Sequence, residues 1–367
     1  MKLNLFFISV VVGYMFWGTL SAMACTGITL KSQNGTAVVA RTIEWGGSNL
    51  NSQYVIVPRG YSEQSFTPDG QNGMVFIARY GYVGLAVEQK EFIAEGINEA
   101  GLSAGLFYFP HYGEYEDYDK KVADSSISDF QLVSWILGKC TTLEEVKEAV
   151  ANVHIINIDS RASTVHWRFA DQTGRQLVLE IIGKETHFYE NNLGVLTNSP
   201  GFEWHLTNLN NYVNLYPGTA QTHGLGNLEL SSFGAGSGFL GLPGDVTPPS
   251  RFVRAAFYQA TAPQKSTVLE TVLQCFQILN NFDIPIGIEF SEGKAPVDIP
   301  SATQWTSATD MRDRVIYFRT MYDSTIRSID LRTINFSIVS YHAEPMDNVR
   351  QQKIERLKIH SLGILLK

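Results

Sequence analysis

Three cysteines in 367 residues are too few for a disulfide framework. Cys25, Cys140 and Cys275 are far apart and lack metal-ligand spacing, so they do not make a zinc site. Cys140 and Cys275 could pair in an oxidising compartment or stand as buried free thiols. There is no H-E-x-x-H, and the eight histidines are scattered. No P-loop and no Rossmann fingerprint opens a helix after a strand. Lys and Arg nowhere cluster, and the net charge is −8, which argues against nucleic acid and anionic membrane surfaces as partners. Charged residues make up only 17% and hydrophobic residues 44%, a balance that excludes a disordered chain and supplies a large core. Gly/Ser-rich and Pro-rich linkers are missing too. One domain is therefore expected over residues 25–367, with 348–367 as a mobile tail or an added helix.

One long apolar run stands out, at the N-terminus. Lys2 is a short positive region, Leu3 to Leu20 is almost wholly apolar, and Ser21-Ala22-Met23-Ala24 follows. Small residues at −3 and −1 of Cys25 make residues 1–24 a secretory signal peptide, cleaved after Ala24. The expected location is periplasmic or secreted, with no membrane anchor after cleavage. The rivals are an uncleaved transmembrane anchor and a lipoprotein signal, which usually carries Leu where Ala22 stands.

Beyond Cys25 the pattern is strand-like. Thr26 to Leu30 alternates, Asn34-Gly35 signals a hairpin, and Thr36 to Ala40 is β-rich. Met74–Ala78 and Ala104–Phe109 read as further strands. Two helices follow, opened by capping boxes at Ser128-Asp129-Phe130-Gln131 and Thr142-Leu143-Glu144-Glu145. Val165, Trp167 and Phe169 alternate with polar residues, and Leu177–Ile182 returns as a strand. Val268–Leu279 reads as a helix, and Val315–Tyr322 and Ile326–Leu331 as late strands. This order suggests antiparallel sheets covered by helices, an α+β fold without βαβ units. Gly234-Ala235-Gly236-Ser237-Gly238 does not fit G-x-S-x-G and reads as a loop.

Cleavage before Cys25 would leave a thiol beside a free α-amine, a nucleophile and a base in one residue. The α-amine has a reference pKa of about 8, so it can take and return a proton near neutrality. Taken singly, Arg41 and Glu44, three apart, read as a surface ion pair, Asn198 as a turn residue, and Arg251 as a solvated helix-start residue.

Five segments in order change that reading. They are Cys25-Thr26-Gly27, Ala40-Arg41-Thr42-Ile43-Glu44-Trp45, Gly96-Ile97-Asn98-Glu99-Ala100-Gly101-Leu102, Gly194-Val195-Leu196-Thr197-Asn198-Ser199-Pro200, and Gly241-Leu242-Pro243-Gly244-Asp245 with Ser250-Arg251-Phe252. Together they resemble the choloylglycine hydrolase family of bile salt hydrolases and penicillin V acylases, within the N-terminal nucleophile hydrolases. The resemblance implies a four-layer αββα sandwich of two antiparallel sheets between helices. It implies Cys25 as nucleophile, Arg41 supporting the thiolate, and Arg251 completing the polar network. Asn198 and the backbone N–H of Tyr108 would be the oxyanion donors. Glu44 departs from the family's usual Asp, which holds the α-amine.

Trp45, Phe107 and Phe109 are expected to line a shallow apolar pocket, or else to fill the core. No metal or organic cofactor is implied, because thiol, amine and oxyanion donors are all protein groups. The substrate would be a small non-peptide amide: a conjugated bile salt first, then penicillin V or an acyl-homoserine lactone. Tyr108 stands where penicillin V acylases often carry Tyr. A homotetramer is implied as well. The reading from another class is a secreted binding protein that keeps the pocket without turnover.

Overall fold

The computed structural model describes residues 24–159 and 163–357. The signal-peptide reading therefore lies outside the described residues except for Ala24. Five strands form one antiparallel sheet, in the order β1 (Ala24–Lys31), β2 (Ala37–Glu44), β10 (Thr303–Asp310), β11 (Val315–Thr320) and β12 (Arg327–Asp330). Eight strands form the second. Its order is β9 (Glu185–Glu190), β8 (Gln176–Ile182), β7 (Val165–Ala170), β6 (Ser103–Tyr108), β5 (Ile93–Asn98), β4 (Tyr82–Ala86), β3 (Gln53–Val57) and β13 (His342–Pro345), again antiparallel.

Helix α1 (Leu132–Lys139) packs on β5 and β6 and is followed by α2 (Leu143–Val150). Beyond α3 (Phe202–Asn208), helices α4 (Pro248–Thr261) and α5 (Val268–Leu279) cover the five-stranded sheet. The layers are thus helix, sheet, sheet, helix: the α+β sandwich expected. Residues 348–357 carry no helix or strand.

Local chemistry explains most boundaries. The β1–β2 hairpin turns at Asn34-Gly35, where Gly35 takes φ +82°, a conformation that suits a residue without Cβ. Thr142 caps α2 by accepting the Glu145 N–H. Ser128 accepts the Phe130 N–H, but Gln131 does not complete a box there; its side chain accepts the Phe66 N–H instead. The full capping box lies at Thr267 and Glu270, opening α5.

Every residue of β7 is buried, polar positions included. Trp167 points to the helix side, its Nε1–H donating to the Asp129 carbonyl. Arg168 points the other way, reaching the Ala40 carbonyl of the facing sheet. Strand alternation here separates two buried faces, one dry and one polar, and the polar one holds the site.

Candidate active site

Cys25 lies on β1, an edge strand, paired with Ile43 of β2, while Gly27 pairs with Arg41. Cys25 and Arg41 therefore share a face as diagonal neighbours. Arg41 Nη2 donates to Cys25 Sγ at 2.8 Å. Glu44, three residues on, falls on the opposite face. This explains why Arg41 and Glu44 are not the surface pair their spacing suggests. Both are fully buried, and Arg41 pairs with Glu95 at 3.6 Å. Glu95 also takes Arg168 Nη2 at 2.9 Å, and the Arg41 guanidinium lies 4.1 Å from the centre of the Phe107 ring. Two buried arginines that share one carboxylate thus frame the thiol, leaving a net positive charge beside the sulfur in a region that water does not reach.

The free edge of β1 is used by a bridge, Gly27 N–H to Leu196 O at 2.7 Å. That bridge carries Asn198 to Cys25. Asn198 Oδ1 accepts the Cys25 N–H at 2.8 Å and Arg251 Nη2 at 2.7 Å. Its Nδ2 donates to the Tyr108 carbonyl at 2.8 Å. Arginine and backbone N–H can only donate, so the amide orientation is fixed by its partners. Arg251, at the start of α4, also donates to the Cys25 carbonyl and to Thr26 Oγ1. It is fully buried, not solvated.

Burial pushes the Cys25 thiol above its ordinary value. Arg41, the backbone N–H of Tyr108 and Arg251 pull it down without overcoming the burial, and Glu44 adds to the rise. Arg41 favours the thiolate, as expected, but in the chain that still carries Ala24 it does not win. Cys140 and Cys275 are free, buried and further still from ionising; burial drives Cys140 up to about 12.

The Glu44 carboxyl rises to about 8, first through burial and further through Glu289, against Arg251, Thr42 and Arg41. Thr303 Oγ1 donates to its Oε1 at 3.4 Å, and Oε2 has no partner among the described residues. The nitrogen of Cys25 is a peptide nitrogen here, because Ala24 precedes it. Ala24 is itself buried, packed with Ile284 and Ala302.

Of the three pocket aromatics, Phe107 and Phe109 take the core alternative. Both are fully buried, Phe107 against Arg41 and Phe109 stacked on His166 at 4.4 Å. Trp45 is partly exposed and donates from Nε1 to Ser48 Oγ. The Tyr108 hydroxyl donates to Ser163 Oγ at 2.7 Å. Asn98 is a turn residue with an added duty: Oδ1 accepts the Ala100 and Leu102 N–H groups, and Nδ2 donates to carbonyls at the end of α1.

Sequence reasoning missed Glu95, His166, Arg168, Glu180 and His205. Glu95 stands directly before the Gly96–Leu102 segment. His166 and Arg168 occupy the polar positions of an alternating strand, which looks the same whether that face meets water or a second sheet.

Residues 25–349 match the linear amide C–N hydrolases of the choloylglycine hydrolase family, and the chain belongs to that family. It is a hydrolase of linear amide C–N bonds. It is 31% identical over 319 residues to a bile salt hydrolase/transferase of Clostridium perfringens, covering 85% of this chain and 93% of that one. It is 33% identical over 315 residues to the protein of the same name from Lactiplantibacillus plantarum, covering 84% and 92%. Its structure resembles a variant of conjugated bile acid hydrolase from Clostridium perfringens, with a TM-score of 0.79 at 29% identity, over 91% of this chain and 100% of that one.

Proposed function

We propose that the mature chain begins at Cys25 and hydrolyses conjugated bile salts with that residue as nucleophile. The observation that carries the reading is the pair of contacts on one residue: Arg41 Nη2 at the sulfur and Asn198 Oδ1 at the nitrogen, each 2.8 Å away. The names of its relatives support the substrate class.

Removal of residues 1–24 turns the Cys25 nitrogen into an α-amine held by Asn198 Oδ1. Glu44, with an unpartnered buried oxygen, lies close enough to act on the Cys25 thiol, and once ionised its carboxylate would balance the ammonium form. The amine takes the thiol proton as sulfur attacks the amide carbonyl carbon. The carbonyl oxygen becomes an oxyanion, stabilised by the second Asn198 Nδ2–H and the Tyr108 N–H. The amine then protonates the leaving nitrogen, the C–N bond breaks, and a thioester remains. Water, deprotonated by the same amine, cleaves the thioester to release the acid and restore the thiol.

A raised thiol pKa suits this sequence. The proton is handed to the amine during attack, so no standing thiolate is needed. Departure of Ala24 would open apolar space beside Ile284 and Ala302 for substrate to reach the sulfur. Export to the periplasm or medium and assembly as a homotetramer complete the proposal. Penicillin V acylase is the second reading, favoured by Tyr108. Release of glycine or taurine from conjugated bile salts by the mature protein, and its loss in Cys25→Ser, tests the assignment. Release of phenoxyacetate from penicillin V alone would give the second reading.

A further inference from the structure

Asn198 is held at its main chain as well as its side chain. His205 Nε2 donates to the Asn198 carbonyl at 2.8 Å, and His166 Nε2 donates to the Thr197 carbonyl at 3.0 Å. Two imidazoles thus grip two consecutive carbonyls. Both histidines are fully buried.

A single carboxylate stands behind His166 and also anchors the start of the helix that carries His205. Glu180 Oε1 accepts His166 Nδ1–H at 2.9 Å, and the carboxylate also accepts the Phe202 N–H at the start of α3. Helix α3 carries His205, whose ring stacks on Phe252 at 4.5 Å and 10°. Phe252 is the neighbour of Arg251, which holds the Asn198 side chain. Burial keeps His205 neutral near neutral pH, so its one N–H is committed to the Asn198 carbonyl, and Nδ1 has no partner among the described residues.

We infer that His205 and His166, backed by Glu180, are positioning residues that fix the direction of the Asn198 amide. The inference rests on the proposed role of Asn198 as an oxyanion donor. The chemistry demands such a clamp. An oxyanion donor works only when its N–H is already aimed at the place where charge develops, and a residual rotation of segment 197–198 would lose that advantage. The other ties on Asn198 lie on its side chain: Oδ1 to Cys25 and Arg251, and Nδ2 to Tyr108. Without the histidines the peptide behind it could tilt while those bonds stretch together. His205 touches no substrate in this scheme and acts through Asn198 alone.

The test uses mature full-length protein and glycine-conjugated cholate. His205→Phe and His205→Leu remove the N–H, Phe keeping a ring on Phe252; His205→Gln keeps a donor of similar reach. The Phe and Leu variants should lose about tenfold or more in kcat with KM nearly unchanged, the signature of a lost transition-state interaction. His205→Gln should stay within about threefold of wild type. Alkylation of Cys25 by iodoacetamide needs no oxyanion, so its rate should be unchanged in all three. On an Asn198→Ala background, His205→Phe should cost little more, because the two act as one unit.

Equal losses in the Gln and Phe variants, full additivity with Asn198→Ala, or slowed alkylation would overturn the positioning role. A tenfold loss in His205→Gln overturns it even where the donor-less chains do not fold. An Asn198→Ala protein with full activity would instead overturn the underlying site assignment, so the two failures are told apart.

Discussion

Gly27 and Arg168 meet across the two sheets, so closely that a Cβ on Gly27 would stand 2.9 Å from Arg168 Nη1 and 3.1 Å from the Phe107 ring. Arg168 cannot swing aside freely, because Glu95 holds it at 2.9 Å in a buried ion pair. The glycine after Cys25-Thr26 is thus the space in which the Arg41–Glu95–Arg168 group is assembled.

Gly27→Ala should therefore push the Arg168 guanidinium or the Phe107 ring off its position. Overpacking of this kind costs about 1–3 kcal/mol. A urea midpoint lowered accordingly, with slower hydrolysis at unchanged KM, is the expected outcome. Wild-type stability and rate would contradict the packing described.

Buried carboxyls set the pH dependence of stability. Burial raises Glu44 to about 8 and Glu63, Glu88 and Asp129 to about 7. The folded chain then holds protons that the unfolded chain has released. Their contribution is complete below the ordinary carboxyl range and is lost as pH rises through 7–8. His205 acts in the other direction. Burial lowers it from 6.5 to about 4, so its contribution is present above 6.5 and lost as pH falls through 4. Four carboxyls outweigh one imidazole, so the stability these groups supply falls as pH rises from the ordinary carboxyl range to about 8. Asp129→Asn should flatten the decline above pH 6. A melting temperature that climbs steadily to pH 8 would refute this assignment.

Retention of the leader should abolish activity. Ala22→Phe spoils the small residue at −3 and should block cleavage. The Cys25 nitrogen then stays an amide, which has no basic lone pair to take the thiol proton, and Ala24 keeps its buried place beside Ile284 and Ala302. The retained chain should show no hydrolysis and should resist iodoacetamide at Cys25. An active full-length precursor would disprove the need for a free amine.

What the sequence made legible was local. Asn34-Gly35 announced the β1–β2 hairpin, and the β-rich runs around it placed Cys25 and Arg41 on paired strands. The ordered segments brought Arg251 and Asn198 to the same site, although 53 positions separate them. What stayed hidden was which face of a strand meets water. His166 and Arg168 alternate with Val165, Trp167 and Phe169, and nothing local tells a solvated polar face from a buried polar layer between two sheets. The same limit applied to Phe107 and Phe109, whose aromatic rings serve Arg41 and His166 in the core. The Gln131 cap failed for a related reason: a long-range partner, Phe66, outcompeted the local box.

The segment from Val213 to Leu240 carries a second expectation. Leu225, Leu228 and Phe233 are exposed there, on and beside the hairpin His223–Leu230. Apolar side chains gathered on one projecting arm suit burial against a second copy. Leu228→Lys with Phe233→Lys should convert a tetramer to smaller species by light scattering, leaving the fold intact. A wild type that is monomeric at micromolar concentration would remove the tetramer from the account.

The central claim is that Cys25 is both the first residue and the nucleophile. It is tested most directly by intact mass and N-terminal sequencing of the exported protein, before and after iodoacetamide, with amide hydrolysis measured in parallel. The account predicts a chain that begins at an unmodified Cys25, takes one carbamidomethyl group there, and loses hydrolysis in step with that modification. A retained leader, a lipid on Cys25, or alkylation at Cys25 with hydrolysis intact would contradict it.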